Sequence, residues 1–99
     1  MIDLTQTLDR PTPPEDLTPA LAALWWLRKG DFEMGAEWDR AHEIAQKHEG
    51  EQVFDAIHAL AHRIEGDEAN AKYWYRRAET APGASYEGEW QALVARITD

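Results

Sequence analysis

The sequence predicts an all-α domain, and three observations carry that prediction. Apolar residues recur at spacings of three and four in one segment after another. Single glycines separate those segments, twice as a Gly-Asp pair at Gly30-Asp31 and Gly66-Asp67. No stretch alternates apolar and polar side chains over the length of a strand. The expected architecture is about five helices: two stacked antiparallel helical hairpins and a C-terminal helix sealing the end.

Residues 1–17 carry Pro11, Pro13 and Pro14 and few apolar groups. Proline lacks a backbone donor and disfavours helix before it, so this stretch reads as an extended N-terminal arm ahead of a single helical domain over residues 18–99. Thr18-Pro19 has the form of an N-cap followed by proline in the first helical position. The first helix then runs to about Lys29, with Ala20, Leu24 and Leu27 as its core stripe and Trp25 and Trp26 on two other sides. Gly30-Asp31 is expected to close this helix and cap the next. The second helix, to about His48, places Met34, Trp38, Ala41 and Ala45 on its buried face, with His42 beside them.

Gly50 stops the second helix. A third, over about Gln52 to Glu65, lines up Val53, Ile57, Leu60 and Ile64. Gly66-Asp67 repeats the stop-and-cap signal, and the fourth helix buries Ala71, Trp74, Tyr75 and Ala78. "TAPGAS" is a loop ending in a capping serine, Ser85. The fifth helix shows Trp90, Leu93, Val94 and Ile97 on one side and a polar back, as a terminal helix should.

Composition limits what the chain can do. It has 99 residues, enough for one domain, and no cysteine, so no disulfide supports the core. Its net charge of −9 opposes nucleic-acid phosphates and anionic lipid. The start lacks the basic and apolar regions of a secretory signal, and no apolar run reaches the roughly 18 residues a bilayer span needs. The expected setting is cytoplasmic, without nucleic acid or membrane as partner. The single serine, Ser85, has no Gly-x-Ser-x-Gly elbow, and no glycine-rich phosphate cradle is present, which points away from several enzyme classes.

Sliding the chain on itself by about 36 residues superposes Leu24 on Leu60, Gly30 on Gly66, Asp31 on Asp67, Trp38 on Trp74 and Arg40 on Arg76. The stripe Met34/Trp38/Ala41 matches Ala71/Tyr75/Ala78 one residue later, so the repeat slips between turn and second helix. "EGDEANAKYWYRRAE" resembles the turn and second helix of a tetratricopeptide or Sel1-like repeat, with small Ala71 and Ala78 flanking Tyr75. The longer string "IHALAHRIEGDEANAKYWYRRAE", with "WDRAHE" upstream, is similar to a group of small bacterial helical proteins with no assigned activity. The resemblance covers roughly residues 20 to 80 and implies a fold and a non-catalytic protein-interaction or self-association role, with a protein partner or second copy and no cofactor. The departure from the repeat lies on the third helix. Asp55, His58 and His62 occupy positions where the repeat wants apolar groups, so this helix is either central or turns a histidine face to solvent.

His58 and His62 stand one helical turn apart, and Asp55 lies three residues before His58. One carboxylate and two imidazoles on one face are donors for a divalent metal such as zinc, with His42-Glu43 or Glu65 available to complete the set. The His-Glu-x-x-His pattern of a metalloprotease is absent, because Ala59 follows His58. The alternative to the interaction module is therefore a small metal- or small-molecule-binding protein centred on His58 and His62. The competing structural expectation is a set of buried, hydrogen-bonded rings, with Tyr73, Tyr75, Asp55, Glu65 and Arg77 within reach. His58, His62, Tyr73 and Arg77 form the expected polar seam; the groove between hairpins or the Trp25/Trp26 surface is the expected docking site, with at least one of the two tryptophans expected to pack in the core. "YWYRR" has the aromatic–arginine mix of a base-stacking surface, but the net charge and the helical spacing oppose that use.

Overall fold

The computed structural model describes residues 3–98. A single 3-10 turn, Leu4–Thr7, precedes α1 (Pro19–Lys29), α2 (Ala36–Lys47), α3 (Gln52–Glu65), α4 (Glu68–Ala78) and α5 (Tyr86–Thr98), and no strand occurs among the described residues. The most intimate packing is of α1 on α2 and of α3 on α4, each pair joined by a short turn.

The central element is α3, which touches α1, α2, α4 and α5. Every residue from Phe54 to His62 is buried, so this helix has no solvent face through its middle. Its apolar side, Ile57, Leu60 and Ala61, enters the main core with Leu24, Trp25 and Leu27 of α1 and Trp90, Leu93 and Val94 of α5. Its other side, around Ala59, meets Ala71, Trp74 and Tyr75 of α4. The small alanines let the helix backbones approach, and the aromatic rings fill the remaining space. Trp90 Nε1 donates to the Leu24 carbonyl over 2.7 Å and ties α5 to α1.

The two Gly-Asp pairs differ. At the second, Gly66 takes the left-handed conformation (φ 87°) and Asp67 accepts a hydrogen bond from the Asn70 amide at 3.1 Å, the expected stop and cap. At the first, Gly30 has φ −77°, while Asp31 and Phe32 are the residues with positive φ. Gly30 serves a close approach instead: a Cβ there would lie 2.8 Å from Glu37 Cβ. The chain needs further turn residues before α2 begins at Ala36, behind Gly35. Met34 thus precedes the helix and is 50% exposed, which corrects its assignment to the buried stripe. Asp31 does not cap α2; the capping position belongs to Gly35, which has no side chain to offer.

The proline-rich arm lies against α1. Asp3 caps the 3-10 turn by accepting from the Thr5 amide, Leu4 is buried, and the Trp25 indole donates to Thr7 Oγ1 over 2.9 Å. Lys29 Nζ donates to the Leu8 carbonyl over 2.8 Å. No helix among the described residues is long and apolar enough to cross a membrane.

Candidate metal centre

The interface between α2 and α3 holds three histidines. His58 and His62 come from consecutive turns of α3, and His42 comes from α2, one turn after Trp38. One ring nitrogen from each lies within 4.8 Å of the others. His42 Nε2 and His58 Nε2 are 3.1 Å apart. The ring of His42 stands nearly perpendicular to the other two, at 83° to His58 and 81° to His62.

Tryptophans fix these rings. Trp38 stacks on His42 with centroids 4.8 Å apart, and its indole donates to the Ala61 carbonyl at 2.8 Å, anchoring α2 to α3 beside the cluster. Trp74 of α4 stacks on His58 at 3.9 Å. Glu65 meets His62 Nδ1 at 2.8 Å. When Nδ1–H donates to that carboxylate, the lone pair of His62 resides on Nε2. This is how metal-ligating histidines are usually oriented.

His58 has a costly environment. It is 2% exposed, and its Nδ1 has no hydrogen-bond partner. Whichever tautomer it adopts, its one polar contact is another imidazole, and a buried polar atom stays unpaired. Burial, followed by His42, His62 and Arg77, lowers its pKa to about 3. Burial is also the main cause that lowers His42. Both rings are therefore neutral at physiological pH, the form in which imidazole ligates a metal.

The other expected site residues lie elsewhere. Asp55 is buried but its carboxylate is engaged: Oδ1 accepts from the Gly50 amide at 3.1 Å, and Oδ2 lies 3.9 Å from Arg77 Nε. His42 joins the two α3 histidines in place of Asp55. Tyr73 is exposed and accepts from Arg77 Nη1 at 3.1 Å, and neither residue joins the histidine cluster. Trp26 is half-buried. Trp25 is 0% exposed beneath the arm, so it offers no surface to a partner in this arrangement.

Sequence reasoning missed a second polar centre. Glu89 of α5 is buried and accepts from Arg63 Nη1 (2.7 Å), Tyr75 Oη (2.7 Å) and the Gly83 amide (3.0 Å). It joins α3, α4, α5 and the loop before α5. The available signal was a carboxylate directly beside Trp90 on the buried side of the last helix.

No family model, curated protein or solved structure matches the chain.

Proposed function

We propose that this protein binds one divalent transition-metal ion, zinc in first place, through His42, His58 and His62. The observation that carries this reading is the convergence of three imidazole nitrogens from two helices, with the closest pair at 3.1 Å. Two nitrogens bound tetrahedrally to one zinc at 2.0–2.1 Å sit about 3.3 Å apart, close to the His42–His58 separation of 3.1 Å, and the His62 nitrogen lies within 4.8 Å of both. All-imidazole donors suit zinc, copper, nickel or iron and not magnesium or calcium. Three protein ligands leave zinc a fourth position, and His42, the half-buried member, marks the side from which it is reached.

A purely structural role explains the rings less well. A structural histidine is kept for the hydrogen bonds it satisfies, whereas His58 makes one, with His42 Nε2, and leaves its Nδ1 buried and unpaired. The protein-interaction reading offered the groove between hairpins or the Trp25/Trp26 surface, and of that surface Trp25 is used internally. Functionally, the site fits binding or transfer of a metal ion more directly than docking of a protein.

The test is equilibrium dialysis of the chain against zinc, with metal measured by mass spectrometry, beside His42→Phe and His58→Leu variants. The expected result is one zinc per chain in the parent protein and loss of at least about tenfold in affinity in each variant, equal to ~1.4 kcal/mol. Circular dichroism checks that both variants remain helical. An unchanged zinc content in folded variants refutes the site.

A further inference from the structure

The metal reading leaves unused a second feature on the opposite side of α4. Although consecutive in sequence, α4 and α5 do not approach closely along their backbones; both rest on α3, and the Tyr75–Glu89 hydrogen bond bridges them. Between them lies a cleft of about 870 Å³, lined among others by Arg63, Lys72, Tyr75, Arg76, Pro82 and Tyr86. Such a volume is within the range of small-molecule sites, roughly 300–1,000 Å³.

Charge distinguishes this cleft. The chain carries −9 overall, yet cations line the cleft from two helices. Arg63 is neutralised by Glu89 and held over the Tyr86 ring at 5.1 Å, which makes it a fixed wall. Lys72 and Arg76 are one turn apart on α4, are exposed, and form no ion pair within 4.0 Å among the described residues. Glu68, the acid that also lines the cleft, is one turn before Lys72 and is not paired with it. Apart from Gly66 and Thr80, the remaining walls are apolar or aromatic: Ala71, Pro82 and the rings of Tyr75 and Tyr86. The Tyr75 hydroxyl is committed to Glu89, and burial raises its pKa, so it stays a protonated donor to that carboxylate.

We infer that the α4–α5 cleft binds a small organic anion, with a carboxylate or phosphate on Lys72 and Arg76 and an apolar or aromatic body against Tyr75, Tyr86 and Pro82. Paired cations one turn apart offer an ammonium and a forked guanidinium to the same anionic group. The ring walls supply the apolar contact that distinguishes such a ligand from a bare inorganic ion.

The test is a titration of the full chain, in chelator, with phenyl phosphate, benzoate and inorganic phosphate, read from amide chemical shifts. Phenyl phosphate or benzoate should give saturable shifts confined to α4 and the start of α5, with at least about tenfold tighter binding than inorganic phosphate. Lys72→Glu/Arg76→Glu, both at exposed positions, should keep the dispersed spectrum and abolish those shifts. Lys72→Arg/Arg76→Lys should retain them. No saturation by either organic anion at about 10 mM overturns the inference, as does equal binding of inorganic phosphate or binding that survives the charge reversal. Because chelator removes metal and no residue is shared with the histidine cluster, the outcome is independent of the metal site.

Discussion

His42 on α2 and His58 on α3 bring their Nε2 atoms to 3.1 Å, a contact between two imidazoles in which one must donate and the other accept. In the metal-free chain that exchange satisfies one nitrogen of each ring and leaves His58 Nδ1 buried without a partner. The arrangement is poor for stability and favourable for ligation.

Replacing His58 by leucine should separate the two properties. The substitution removes an unpaired buried nitrogen, whose desolvation costs about 1–3 kcal/mol, and keeps an apolar side chain against Trp74, while Nε2 of the half-buried His42 exchanges His58 for water. The metal-free variant is expected to melt at or above the temperature of the parent while zinc no longer raises it. Thermal unfolding with chelator and with excess zinc measures both. A variant much less stable than the parent in chelator would show that the ring is held for structure.

Acid should destabilise the metal-free protein earlier than its carboxylates alone require. In an unfolded chain a histidine takes a proton near pH 6.5, whereas folded His58 does so only near pH 3, because burial and then His42, His62 and Arg77 oppose the charge. Between these values the unfolded chain binds more protons, so stability is fully present above about pH 6.5 and is lost as pH falls toward about 3. Urea unfolding at pH 7, 6, 5 and 4 should show a loss of up to about 1.4 kcal/mol per pH unit from this ring. The His58→Leu variant should lack that contribution. Equal pH profiles in the two chains contradict the assignment.

Glu89 should be among the most sensitive positions outside the main core. Glu89→Ala leaves the buried Tyr75 hydroxyl and the Arg63 guanidinium without their acceptor and frees the Gly83 amide, at a cost of about 2–4 kcal/mol. Glu89→Gln keeps two of the contacts' geometry and should cost about half as much. Chemical denaturation gives both values. A near-neutral alanine variant would mean that α5 is held by Trp90, Leu93 and Val94 alone.

The two small residues of α4 should respond differently to enlargement. Ala78 is fully buried in the main core, so Ala78→Leu overpacks it at about 1–3 kcal/mol. Ala71 is also buried, against Ala59 and Tyr75, but one side of it borders the α4–α5 cleft, so Ala71→Leu should cost less than Ala78→Leu. Comparable losses at both positions would contradict the packing described for α4.

Local chemistry made much of this readable. The Gly66-Asp67 elbow was legible because each residue does a local job, a left-handed stop and a side-chain cap. Gly30-Asp31 looks identical in sequence, but its glycine answers to Glu37 across the turn, which no local pattern encodes. The His58/His62 pair was legible from its one-turn spacing. His42 was offered by the sequence as one of several groups that could complete the set; its approach to the pair depends on how α2 is rotated against α3, which Trp38 fixes by reaching the Ala61 carbonyl. Asp55 shared the histidine face by spacing, yet the Gly50 amide and Arg77 draw its carboxylate away. Burial of one tryptophan of the Trp25-Trp26 pair was legible, but not that it is Trp25, because nothing in the arm's prolines indicates that Leu4 and Thr7 return to cover it.

The most direct test of the account is X-ray absorption at the zinc edge on the chain loaded with one equivalent of zinc. The expected spectrum has a nitrogen shell at about 2.0–2.1 Å with the multiple scattering of three imidazoles, falling to two in His42→Phe. A shell of oxygen donors alone, or an imidazole count that does not change in that variant, would contradict it.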